Sequence, residues 1–163
     1  MILFSRFASV SLLLVLAGCQ DTAGPLSSTV IGGNLVRLTT SASASELIRG
    51  SPVTLHIRVK NEGTEAVTLH FNSTCQVVPF IHDAGRTPVI PDGGAYGCGA
   101  ALTQLSLAPG ESEDSEYVWT GGTAFASQGT LRPLPPGRYY FSARVLAEDG
   151  AAMQSEPIEL ILK

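Results

Sequence analysis

The chain has 163 residues, 14 acidic against 10 basic, and a formal net charge of −4. An acidic balance of this size argues against nucleic acid as a partner and against a polybasic membrane patch. With 17 glycines, 10 prolines and no sustained helical period of apolar residues, the leading class is an all-β chain with many turns.

Residues 1–18 have the three parts of a secretory signal: a start whose one positive charge is Arg6, an apolar run from Phe7 to Leu16, and small residues before the cut. The run is about ten residues, roughly half of what a bilayer-spanning helix needs. It is therefore read as a cleaved signal. Leu16-Ala17-Gly18-Cys19 resembles a lipobox, the cleavage motif of bacterial lipoproteins. The resemblance implies that the Cys19 sulfur receives a diacylglyceryl group, that the chain is cut before Cys19, and that the new amine is often acylated as well. Two or three acyl chains exceed the single chain that binds a membrane only marginally, so the anchor is expected to be stable. The alternative is an ordinary secreted protein with a free thiol at Cys19. Gln20 rather than Asp follows the cysteine, which in such lipoproteins implies transfer to the outer membrane, here facing the periplasm.

The chain after the signal is about 145 residues, one ordinary domain's worth. Residues 19–33 are the lipidated cysteine and a small, polar, glycine-bearing stretch read as a flexible tether; fourteen such residues span roughly 20 Å root-mean-square. Residues 34–163 are read as the folded domain. With Cys19 committed to lipid, Cys75 and Cys98 remain as an even pair in an oxidising compartment. A disulfide between them would close a loop of about 24 residues and stabilise the fold by roughly 3 kcal/mol. Two unlinked thiols, or a reactive or metal-binding thiol, are the alternatives; zinc-type spacing is absent.

From Asn34 the pattern becomes strand-like. Leu35 to Thr39 forms a first strand. After a turn at Gly50-Ser51-Pro52, Val53, Leu55, Ile57 and Val59 alternate with Thr54, His56, Arg58 and Lys60, a period of two that buries one face. Past Asn61-Glu62-Gly63-Thr64, Val67, Leu69 and Phe71 alternate with Thr68, His70 and Asn72. If these two strands paired as a hairpin, His56 and His70 would lie opposite each other and suggest a metal site. A crossing between sheets would separate them as two solvated histidines, and no metal is expected.

Gln76 to His82 is a further apolar segment, which Pro79 assigns to an edge. Residues 83–100 form a glycine- and proline-rich excursion with one short strand near Thr87 to Ile90, and its exposed binding candidates are Arg86, Tyr96 and Asp92. Leu102 to Leu107 is the next strand, with Leu105 and Leu107 inward. In Ser115 to Thr120, Tyr117 and Trp119 share a face. The acidic run Glu111, Glu113, Asp114, Glu116 has no EF-hand spacing and reads as a solvated edge. A second long loop, 121–136, carries Arg132 as its candidate. Tyr139, Phe141, Ala143 and Val145 then alternate with Tyr140, Ser142 and Arg144. Glu148-Asp149-Gly150 signals a hairpin into a closing strand from about Gln154 to Leu162. Seven to nine such strands suggest a sandwich of two antiparallel sheets.

Several of these elements resemble a known family. Val53 to Asn61 (Val-x-Leu-x-Ile-x-Val-x-Asn), Val67 to Phe71, Leu107-Ala108-Pro109-Gly110-Glu111-Ser112 leading to Trp119, and Leu134-Pro135-Pro136-Gly137-Arg138-Tyr139 leading to Val145 look like the BsuPI-type proteinase-inhibitor domain. The resemblance covers about residues 35–162 and implies an immunoglobulin-like antiparallel β-sandwich, with Trp119 and Tyr139 packing inward. It differs in two respects: family members often carry a tryptophan where this chain has Thr87-Pro88-Val89-Ile90, and the namesake works inside the cell.

The function expected is a non-enzymatic, lipid-anchored binding or scaffolding module of the cell envelope. Its partners would be the membrane, through Cys19, and an envelope protein or proteinase. The alternative is a BsuPI-type inhibitor presented outside the cytoplasm. Enzyme chemistry is not expected: Gly-x-Ser-x-Gly, His-Glu-x-x-His and phosphate-cradling loops are all missing from the sequence, and nothing calls for a cofactor.

Overall fold

The computed structural model describes residues 22–23, 27–126, 131–148 and 150–163. Among them the chain is an all-β sandwich of thirteen strands. They are β1 (Thr22–Ala23), β2 (Ser27–Ile31), β3 (Asn34–Ala42), β4 (Glu46–Leu47), β5 (Val53–Asn61), β6 (Val67–Phe71), β7 (Val77–Asp83), β8 (Pro88–Ile90), β9 (Thr103–Leu107), β10 (Ser112–Trp119), β11 (Gly137–Val145), β12 (Met153–Gln154) and β13 (Ile158–Leu162). Nine of these have five residues or more.

One sheet has the order β1-β3-β5-β10, with β2 also on β3. The other runs β4-β13-β11-β7-β8, with β12 also on β11, and β6 pairs with β9 as a two-stranded ribbon. The β4–β13 pairing is parallel and the others are antiparallel. The period-two segments form these strands because alternation puts one set of side chains into the inter-sheet space. Val36 and Leu38 of β3, the even-spaced Val53 to Val59 of β5, and Phe141 and Ala143 of β11 are all buried there. Trp119 is 0% exposed and its Nε1 donates to the Gly122 carbonyl at 2.8 Å, so its single polar atom is satisfied. Its ring meets Tyr139 of the opposite sheet edge-on, 5.5 Å between centroids. Both aromatics pack inward.

The asparagine that ends β5 explains why the resembling motif closes on that residue. Asn61 is 0% exposed. Its Nδ2 donates to the carbonyls of Glu65, Leu107 and Ala108 at 2.7, 3.1 and 3.2 Å, and its Oδ1 accepts from Gly63 N–H at 2.9 Å. One buried amide thus ties the 62–65 turn to the Ala108-Pro109-Gly110 turn. It leaves no donor or acceptor unpaired, which is the condition for burying such a group. Gly63 must lack a side chain, because a Cβ there would fall on the side chain of Asn34.

Two readings from the sequence change. First, Ser27–Ile31 lie on the sheet, paired with Asn34–Leu38, so ordered sheet begins ahead of Asn34 within the stretch read as tether. A five-residue edge strand, Ser-Ser-Thr-Val-Ile, carries no apolar–polar alternation that would announce it. Second, Pro79 does not make β7 an edge strand, since β11 lies on one side and β8 on the other. The edge is local. Ala143, opposite Pro79, directs its N–H to Ser155 Oγ and its carbonyl to Ser155 N–H, away from β7. Pro79 therefore faces β11 across a non-hydrogen-bonded pair, and its missing N–H points past the end of β8, whose last residue, Ile90, meets Ile81. The alternative left open for the next two strands is decided: β5 and β6 do not pair with each other, so His56 and His70 stand on separate sheets. His56 instead lies 3.2 Å from Glu116. The Glu148-Asp149-Gly150 turn does join β11 to its antiparallel neighbour β12, although Asp149 itself lies outside the described residues.

Candidate functional site

The excursion after β7 folds back over the outward face of its own sheet. β7 turns at Asp83, whose Oδ1 accepts from Thr87 N–H at 2.9 Å and whose carbonyl accepts from Arg86 N–H at 3.0 Å. The turn holds Arg86 at φ 66°, a left-handed conformation uncommon for a residue with a side chain. From there its guanidinium sits 4.2 Å from the centre of the Tyr140 ring.

Next to it lies Phe80, which projects from the outward face of β7 yet is only 6% exposed. The Arg144 guanidinium lies 4.6 Å above its ring, His82 stacks at 5.8 Å, and Tyr96 meets it edge-on at 5.6 Å. The Tyr96 hydroxyl donates to the Pro79 carbonyl at 2.5 Å, filling the local gap left where β8 stops. Burial pushes the Tyr96 phenol well above its ordinary range, so it remains a donor. Burial, and then the positive charge of Arg144, hold His82 below its usual value. Ser142, beside it, is 1% exposed, and its Oγ has no partner among the described residues. It lines a small cleft of about 140 Å³ with His82, Arg86, Gln154 and Pro157.

The excursion is then fastened. Cys75 and Cys98 form a disulfide with Cα atoms 5.5 Å apart, which decides between the open readings of the cysteine pair. Thr74 and Gly99 grip each other, Thr74 N–H to Gly99 O at 3.0 Å and Gly99 N–H to Thr74 Oγ1 at 2.9 Å. Beyond them Thr103 Oγ1 donates to the Ser73 carbonyl at 2.7 Å.

The three loop candidates do not converge. Arg86 covers Tyr140, Tyr96 covers Phe80, and Arg132 pairs with Asp92, joining the second long loop to the first. The second loop is also seated by Phe125, which is buried against Tyr117 at 5.0 Å. Cys19 lies outside the described residues. The sequence reading missed Leu102, which it placed at the start of a strand. Leu102 precedes β9 and is 86% exposed. The signal was parity: Leu105 and Leu107 share one face of a strand, and Leu102 falls on the other.

A wider trough, about 520 Å³, lies on the outer face of the first sheet between Thr39, Ser41, His56, Arg58, Asp114 and Glu116. Its charges are already paired with one another, Arg58 with Asp114 at 2.6 Å and His56 with Glu116, which leaves little to recognise a ligand.

Residues 38–150, from within β3 to the turn before β12, match the family described as BsuPI, intracellular proteinase inhibitor. The chain belongs to the BsuPI family. The matched span includes the whole excursion and its disulfide, and the family is one of inhibitors rather than enzymes. No curated protein matches the sequence. Solved structures resemble parts of this BsuPI chain at low identity. A β-glucosidase from Listeria innocua in complex with isofagomine aligns at 15% identity and TM-score 0.45, covering 79% of this chain and 16% of its own. A β-glucosidase from Erythrobacter marinus aligns at 14% and 0.43, covering 88% and 16%. The alkylpurine DNA glycosylase AlkC of Pseudomonas fluorescens aligns at 15% and 0.42, covering 75% and 28%. The chain thus spans about a sixth of the length of the glucosidases, and the likeness says nothing of activity.

Proposed function

We propose that the protein is a non-enzymatic, lipid-anchored proteinase inhibitor of the cell envelope. The observation that carries this reading is the BsuPI match over residues 38–150, which takes in the one long excursion that is covalently fastened to the sandwich. Inhibitors gain affinity when the contacting backbone is rigid before binding, because less ordering entropy is lost on association. The family description speaks of an intracellular inhibitor; here the disulfide suits an oxidising compartment, and Leu16-Ala17-Gly18-Cys19 supplies the proposed route there. In this reading residues 1–18 are removed, Cys19 carries the lipid, and a short tether leads to the sandwich, on the periplasmic side of the outer membrane.

Two measurements test it. Protein purified from membranes without reductant should have an intact mass that begins at Cys19 with acyl groups added, and should gain two hydrogens on reduction; a mass without lipid would remove the anchor. The same protein should inhibit at least one member of a panel of serine, cysteine and metalloproteinases. Activity of every proteinase unchanged at micromolar protein would remove the inhibitor.

A further inference from the structure

Gly99-Ala100-Ala101-Leu102 is exposed along its whole length and belongs to no strand. Beyond Gly99, no hydrogen bond among the described residues engages the backbone of Ala100, Ala101 or Leu102. An exposed leucine alone needs no explanation. What sets this one apart is that both flanks of its segment are held by the same short post, Ser73-Thr74-Cys75. On the N-terminal side Cys98 is bonded to Cys75 and Gly99 is doubly bonded to Thr74. On the C-terminal side Thr103 Oγ1 is bonded to Ser73, and Thr103 pairs with Phe71 in the β6–β9 ribbon. The post is itself fixed, with Ser73 Oγ bonded to the Cys75 carbonyl at 3.2 Å.

We propose that Gly99–Leu102 enters the active-site cleft of a serine proteinase as a substrate mimic, with Leu102 filling an apolar primary pocket. The inference rests on the inhibitor reading above and names its contact. Free N–H and C=O groups on an exposed segment fixed at both flanks are what an extended-peptide cleft can pair with. The small side chains of Ala100 and Ala101 let the cleft walls approach. The brace also accounts for inhibition rather than digestion. Hydrolysis of the Leu102–Thr103 bond adds one water, giving a Leu102 carboxylate and a Thr103 amine. Neither new end departs, because one is held through Cys98 and the other through Thr103 and β9, so the same bond re-forms with loss of that water.

The test uses the whole exported protein, oxidised, against a subtilisin-type, a chymotrypsin-type and a trypsin-type serine proteinase. Wild type should inhibit the first two. Leu102→Gly should weaken that inhibition at least about 30-fold, the loss of a central anchoring side chain, and Leu102→Arg should shift inhibition towards the trypsin-type enzyme. Because Leu102 is exposed, both variants should melt with the parent. The Cys75→Ser/Cys98→Ser protein should be cut at Leu102–Thr103 and consumed, which mass spectrometry reads as fragments whose masses sum to the parent plus water. If wild type inhibits and Leu102→Gly inhibits within about threefold of it, the loop proposal falls while the inhibitor reading stands. If wild type inhibits no proteinase of any class, both fall.

Discussion

The outward faces of the two sheets are built on opposite plans. On the first sheet, β5 shows solvent the polar half of a clean alternation, and Arg58–Asp114 and His56–Glu116 pair across to β10. That face is finished as soon as the strands are formed. On the second sheet, β7 turns Val78 and Phe80 outward, and both are buried because the next twenty residues of chain return to cover them. The first face owes its solubility to composition and the second to tertiary structure. A face covered by its own loop ties the loop to the sheet.

Breaking the fastening should have the largest effect. Cys75→Ser/Cys98→Ser should lower unfolding stability by about 3 kcal/mol in urea titration, and hydrogen exchange should rise at the Thr74 and Gly99 amides while β5 and β10 keep their protection. Phe80→Ala, which empties the space between Tyr96, His82 and Arg144, should cost about 2–3 kcal/mol by the same titration. Arg58→Ala on the other sheet should leave the midpoint unchanged, since exposed ion pairs contribute little; equal losses at the two sites would erase the contrast. Tyr96→Phe keeps the ring contact and removes the bond to the Pro79 carbonyl, for about 1 kcal/mol.

The last effect is a slope with pH. His82 is held below its ordinary 6.5 in the folded state, so near and below that pH the unfolded chain binds more protons than the folded one. The stabilisation due to neutral His82 is complete above about 6.5 and is lost as pH falls through the lower folded value. His82→Gln should flatten the fall in melting temperature between about pH 6.5 and 5.

Much of the first face, and of the core, could be read from residue order. Val53 to Val59 repeat every second position with no interruption, and nothing but a half-buried strand satisfies that pattern. Asn61 was visible as the end of a motif, but its role was not, because its partners Leu107 and Ala108 are distant in sequence. The second face was illegible for a related reason. Val77 to Ile81 reads as one apolar run whether its outward half meets solvent, another sheet or a returning loop, and the returning residues Arg86 and Tyr96 lie in a stretch rich in glycine and proline with no period of its own. Pairing Cys75 with Cys98 was legible by elimination; where that bond would put Leu102 was not.

The Cys75–Cys98 bond also makes the molecule aware of its compartment. With both sulfurs reduced, Gly99–Leu102 hangs on three hydrogen bonds, two between Thr74 and Gly99 and one from Thr103 to Ser73. Oxidation adds the covalent hold of Cys75 on Cys98. In the proposed reading, the looser reduced form is the one that passes the cell's internal proteinases, and the brace is completed only where disulfides form.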